Sequence, residues 1–161
     1  ISNYFVLMND DFFIINPINY VKTYHGGNLS DKIGVFELHS KNGFYTKLLL
    51  KTEKILKKWG IEDPLDYAIH VPIVMEKDKL KEIINTKLEG VSIRTLYGNK
   101  FNIGGEKIND VKMHANANIR IDIYDFKDKV FPFVSTNDDT FEYLYKNLLK
   151  NKFNKKSKYE K

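Results

Sequence analysis

Two apolar runs, Tyr4-Phe5-Val6-Leu7-Met8 and Phe12-Phe13-Ile14-Ile15, flank the polar triplet Asn9-Asp10-Asp11. Both runs are short, aromatic and β-branched, which is the composition of buried strands rather than of a helix. The pattern predicts strands over residues 4–8 and 12–15, with the first central in its sheet and the triplet at a strand end. Asn16-Pro17 ends the second strand, because proline lacks a donor and restricts its predecessor. A short strand is expected over residues 33–39, closed by the turn Lys41-Asn42-Gly43. From residue 44 to 59 the pattern changes. Tyr45, Leu48, Leu49, Ile55, Leu56 and Trp59 fall on one helical face, and Gly60 supplies the stop.

Residues 67–75 form an apolar, strand-like run with His70 inside it, and Pro72 marks the segment as an edge or as irregular. A second helix is predicted over 77–88, with Leu80, Ile83, Ile84 and Leu88 aligned. Residues 91–97 fit a strand or a helix equally. Gly98-Asn99 and Gly104-Gly105 read as turns, and 108–113 as a short strand. Residues 119–124 alternate cleanly and read as a strand with one exposed face. Phe131-Pro132-Phe133-Val134 is extended. The last helix, about 139–150, carries Phe141, Leu144, Tyr145, Leu148, Leu149 and Phe153 at helical spacing, and Asp139 with Glu142 forms a capping arrangement at its start. No internal repeat or interdomain linker is visible. The elements together predict a single α/β domain over residues 1–149, with helices packed on a sheet, and a tail over 150–161.

A chain of 161 residues with 42% hydrophobic and 14% aromatic residues has the means to build a sizeable core, which excludes a disordered chain. It has no run of 18 apolar residues, so no membrane span is expected. With no cysteine there is neither a disulfide nor a thiolate metal site, which fits a reducing, cytoplasmic compartment. The net charge of +5 is local: residues 150–161 hold six lysines against one glutamate, so the rest of the chain sums to zero. The basic pI thus belongs to the tail, as a solvated end or a contact for a polyanion or membrane surface. Because Ile1 leads straight into a strand, the chain reads as the later part of a longer protein.

The chemistry concentrates at Asp10 and Asp11. Burying two ionised carboxylates requires pairing, hydrogen bonds or a cation. Their oxygens suit Mg²⁺ or Mn²⁺, and such an ion would neutralise a diphosphate; an Asx-type turn is the structural alternative. His70 is a hydrogen-bonded core residue, a metal ligand or a general base, since histidine ordinarily titrates near neutrality. Helix capping accounts for Asp139 and leaves Asp138 unexplained, which makes Asp138 the alternative base. Arg94, Lys100 and Lys112 are candidates to hold phosphate oxygens, with Asn9 and Asn137 beside the carboxylates as further substrate contacts. The Gly26-Gly27 pair offers a loop that a ligand can approach.

Three stretches in order carry a resemblance. Phe5-Val6-Leu7-Met8-Asn9-Asp10-Asp11-Phe12-Phe13 is similar to the acidic motif of the Stealth-type sugar-phosphate transferases and their phage-encoded glycosyltransferase-like relatives. His70-Val71-Pro72 before the Lys79-Leu80 helix resembles that family's His-x-Pro segment. Ser135-Thr136-Asn137-Asp138-Asp139-Thr140-Phe141, with Ser157-Lys158-Tyr159-Glu160 near the end, resembles its closing segments. Tyr97-Gly98-Asn99 and Asp110-Val111-Lys112 look closer to the phage-type relatives. The resemblance implies a GT-A-like α/β fold, a mixed sheet flanked by helices, with the N-terminal nucleotide-binding strands lacking. It implies Mn²⁺ or Mg²⁺ at the Asp pair and transfer of a sugar or sugar phosphate from a nucleotide sugar to an acceptor hydroxyl on a glycan, polymer or modified nucleic acid. In that family further strands precede the acidic motif. Either this chain is an excerpt of a larger enzyme, or a partner chain supplies the missing half. On this reading Asp11, His70 and Asp138 meet in one cleft. A nucleic-acid-binding domain using the basic tail, or a non-catalytic interaction domain, is the alternative.

Overall fold

The computed structural model describes residues 2–113, 132–142 and 146–156. Their backbone is mixed α/β, and the chain divides into two compact units: residues 1–8 with 20–110, and residues 9–19 with 111–161.

In the larger unit, β1 (Tyr4–Leu7) pairs antiparallel with β4 (Ile73–Glu76), with Tyr4 opposite Glu76 and Val6 opposite Val74. β3 (Tyr24–His25) runs parallel to β5 (Glu106–Lys107). Four helices accompany them: α1 (Leu29–Ser40), α2 (Phe44–Lys58), α3 (Lys77–Ile84) and α4 (Ile93–Lys100). Leu29, Ile33, Leu49, Leu56, Tyr67, Ile73, Met75, Ile83, Leu96 and Tyr97 make one continuous buried cluster.

The expected strand over 33–39 is a helix. Asn28 caps it by accepting from the Ser30 amide at 2.8 Å, and Leu29, Ile33 and Phe36 follow the helical i, i+4, i+7 spacing. The ambiguous stretch 91–97 is also helical, capped by Ser92 on the Thr95 amide. Gly98 is therefore no turn residue. It lies inside α4, where any Cβ would run into the Tyr67 ring, so its missing side chain lets a buried tyrosine lie flat against the helix. Helix α2 matches the pattern, and Gly60 ends it at φ +80°, a conformation that suits glycine.

β1 is not the buried central strand that its composition suggests. It sits in a two-stranded sheet and alternates: Phe5 and Leu7 pack against the core, while Tyr4 is 60% and Val6 45% exposed. An apolar run reads as buried on both faces, but among the described residues only one face here has a neighbour.

The smaller unit holds β2 (Phe12–Ile14), β6 (Lys112–Met113) and β7 (Phe133–Thr136) in a three-stranded sheet with β7 in the middle. β2 is antiparallel and β6 parallel to β7. Ile15, Val134 and Leu149 form its core, and Phe13 stacks on Phe141 with ring centroids 6.3 Å apart. Among the described residues the strands thus form three small sheets rather than one mixed sheet, and the 139–150 helix belongs to a different unit from β1. Of that helix the described residues give α5 (Asp138–Thr140) and α6 (Lys146–Lys152). Its cap is Asn137, whose side-chain oxygen accepts from the Thr140 amide at 2.9 Å. Asp139 therefore lies two positions too late to be the cap. The strand expected over 119–124 lies outside the described residues.

Candidate functional site

In the smaller unit, Phe12 N donates to Asn9 O at 3.2 Å, closing a turn over residues 9–12 that delivers Asp11 to the start of β2. Asp10 is exposed and Asp11 half-buried. The register places Phe12 and Lys112 both opposite Ser135, so β6 and β7 bring their polar side chains to the end of β2. Asp11 Oδ2 accepts from Ser135 Oγ at 3.0 Å and from Lys112 Nζ at 3.2 Å. Residues separated by 101 and 124 positions in sequence thus share one carboxylate oxygen. Ser135 is fully buried and donates inward, which orients Asp11.

Lys112 was expected on a phosphate; here its ammonium lies on a carboxylate. Asp138 opens α5, two residues after Thr136, whose amide faces the Asp11 carbonyl at 3.4 Å. Asn9 is exposed at the turn, and Asn137 is occupied as a helix cap. Asp10 and Asp11 offer oxygen donors alone, the set that Mg²⁺ and Mn²⁺ prefer. Mg²⁺ commonly takes one or two carboxylates and completes its shell with water and substrate phosphate, so the pair fits such an ion. No group of three or more His, Cys, Asp or Glu side chains is gathered at metal-binding geometry among the described residues.

In the larger unit, the segment before β4 is irregular, as Pro72 implies, and a charged network holds it. Val71 N donates to Ile69 O at 3.0 Å, so His70 stands at the apex of a tight turn. Its backbone amide donates to Asp110 Oδ1 at 3.0 Å, and its ring Nδ1 lies 3.0 Å from Oδ1 and 2.8 Å from Oδ2. Arg94 clamps the turn from α4. Its Nε donates to Tyr67 O at 3.1 Å and its Nη2 to Val71 O. Lys32 of α1 donates to Asp66 Oδ2 at 2.6 Å and to Ala68 O at 3.4 Å, and the Tyr45 hydroxyl reaches the same carbonyl at 3.3 Å. Asp66 Oδ1 accepts from Ala68 N at 2.8 Å.

The electrostatics follow from these contacts. Partial burial pushes the Asp110 carboxyl up, but the hydrogen bonds and charge of His70, with the charge of Lys32, outweigh it and hold the group at about 2. Burial pulls the Arg94 guanidinium down to about 10 against the opposing charges of Asp110 and Asp66. Burial also pulls on Lys32, but Asp66 overcomes it and the ammonium ends above its ordinary value.

His70 is thus neither a buried core histidine nor isolated: its side chain is 23% exposed and ion-paired in geometry. The Gly26-Gly27 loop is stitched to this segment by Gly26 N to Asp66 O and Asp66 N to Gly27 O. A Cβ on Gly26 would come within 2.7 Å of Asp66 Oδ2, so that glycine makes room for a carboxylate. Lys100 pairs with Glu82 at 3.3 Å and lies over the Trp59 ring. His70, Arg94 and Lys100 therefore belong to one unit, and Asp10, Asp11, Lys112, Asn137 and Asp138 to the other. Sequence reasoning missed the roles of Asp110, Lys32, Asp66 and Ser135, because each is set by a partner at least 34 residues away.

Comparison with protein-family models, curated proteins and solved structures returns no match for the chain. Among the described residues, no helix is long and apolar enough to cross a membrane.

Proposed function

We propose that the chain is part of a metal-dependent transferase that moves a sugar or sugar phosphate from a nucleotide sugar to an acceptor hydroxyl. The observation that carries this reading is the convergence of Lys112 and Ser135 on Asp11 Oδ2, in the acidic motif that resembles Stealth-type transferases. A lone turn aspartate needs no buried serine and no lysine from another strand. Mn²⁺ or Mg²⁺ held by Asp11 with Asp10 would neutralise the charge that develops on a departing nucleotide. Ser135 orients the carboxylate, and Lys112 is within reach to exchange Asp11 for a phosphate oxygen. Asp138, in the first turn of α5 and in the same unit as Asp11, is the carboxylate that would take the acceptor proton. The reading includes the GT-A-like organisation that the resemblance implies.

The test is turnover of a panel of uridine- and cytidine-diphosphate sugars with Mn²⁺, followed by release of the nucleotide. Release that requires Mn²⁺ and is lost in both Asp11→Ala and Asp138→Ala supports the reading. Release unaffected by Asp11→Ala overturns it.

A further inference from the structure

Among the described residues β1 has a strand, β4, on one side only, and the phase of that pairing decides what its other side offers. Lys77 N donates to Asn3 O at 2.9 Å, so the next hydrogen-bonded pairs along the register are Phe5–Met75 and Leu7–Ile73. Tyr4 and Val6 fall at the alternate positions, where amide and carbonyl point away from β4. The Glu76 amide, opposite Tyr4, agrees: it turns outward and donates to the Tyr97 hydroxyl at 2.9 Å. The Tyr4 amide is taken by Ser2 Oγ at 3.1 Å. Among the described residues, the Val6 amide and the carbonyls of Tyr4 and Val6 therefore face out of the sheet with no strand beside them.

We propose that this open edge, with the groove between Phe5 and α3, is a docking site for an extended acidic segment of a partner protein, which adds to the sheet as a strand. The inference does not depend on the transferase reading, and every residue in it belongs to the larger unit. Exposed edges are ordinarily blunted by a charge, a proline or a bulge. Tyr4-Phe5-Val6-Leu7 has no charge and no proline, and its register with β4 is unbroken. Beside Phe5, a groove of about 330 Å³ is lined by Phe5, Lys77, Leu80, Lys81 and Ile84. Its floor is apolar, and its two charged residues are lysines one helical turn apart. Side chains alternate along a strand, so a strand bonded to Val6 and Tyr4 sets an inward-facing apolar side chain beside Phe5, in the groove. Carboxylates flanking that side chain then meet the lysines. Lys77 Nζ now donates to the Ser2 carbonyl at 2.6 Å, and Lys81 meets Asp78 in a pair about two-thirds exposed on both sides, which water makes weak. Charge chooses the occupant. A second copy brings the same two lysines to the same edge, whereas an acidic segment complements them. Backbone pairing gives such a mode its affinity, and the groove its selectivity.

The test uses the full chain and a synthetic probe, a capped peptide of alternating valine and threonine with glutamates at both ends. In an NMR titration the Val6 amide and the Leu80 and Ile84 methyls should shift together. Methylating the peptide nitrogens on the edge that faces β1 should weaken binding at least about tenfold, and methylating the alternate set should change it little. This comparison leaves the protein unaltered. Replacing the glutamates by lysines should also weaken binding at least about tenfold, and the double variant Lys77→Gln, Lys81→Gln should bind both peptides alike. Failure to bind, shifts confined to other surfaces, indifference to which nitrogens are methylated, or equal affinity of wild type for the two peptides overturns the proposal. So does a dimer, seen by sedimentation, that Val6→Lys dissolves, because the edge then belongs to a second copy.

Discussion

Lys32 Nζ and Asp66 Oδ2 lie 2.6 Å apart, with the Asp66 side chain fully buried and that of Lys32 18% exposed. This pair fastens α1 to the irregular segment that ends at β4. Removing one partner leaves the other charged and uncompensated in a dry site. Lys32→Met and Asp66→Asn are each expected to destabilise the fold by roughly 3–5 kcal/mol, and the double variant by clearly less than their sum. Chemical denaturation of the four proteins measures the coupling. Strict additivity would mean that the pair is an exposed contact of little weight.

Asp110 makes a prediction about acid. Its folded value lies at about 2, below the ordinary 3.8, so between those values the unfolded chain binds more protons than the folded one. The stability that Asp110 contributes is complete above 3.8 and is lost as pH falls through that value towards 2. Melting temperatures of wild type and Asp110→Asn should therefore differ most above about pH 5 and converge on acidification. A constant gap across that window would place the origin of the difference elsewhere.

If the proposed cation binds at Asp11, it must compete with Lys112 for the oxygen that the ammonium now contacts at 3.2 Å. Removing the lysine charge in Lys112→Met should tighten Mn²⁺ binding roughly fivefold, the equivalent of an ion pair of about 1 kcal/mol. Asp11→Ala should abolish the calorimetric signal. An isotherm that ignores both substitutions would remove the metal from this position.

Much of the fold was legible where periodicity was unambiguous. Helix α2 and its glycine stop follow directly from residues 44–60, as do the strands around the acidic motif. The errors have physical causes. Residues 33–39 carry Val35 and Leu38 on an exposed face, which blurred the helical period and left the Asn28 cap as the better signal. Gly98 beside Asn99 has the look of turn punctuation, but the Tyr67 ring uses its missing Cβ. Tyr4 and Val6 of β1 are exposed despite their apolar run, because a sequence cannot say whether a strand has a neighbour on each face. The Asp pair and His70 could be singled out from residue type and context. Their partners could not, since Asp110 and Lys112 stand in short polar stretches without a period, and only the fold brings them to His70 and Asp11.

The His70 amide donates to a side chain and not to a strand or helix ladder. Its exchange with solvent deuterium therefore reports opening of the turn around residue 70, a local event far smaller than unfolding of the core. Neighbouring amides in β4 wait for strand separation, whereas this one follows the turn alone. Protection at that position is a clock for how long the contact between His70 and Asp110 lasts in the resting protein.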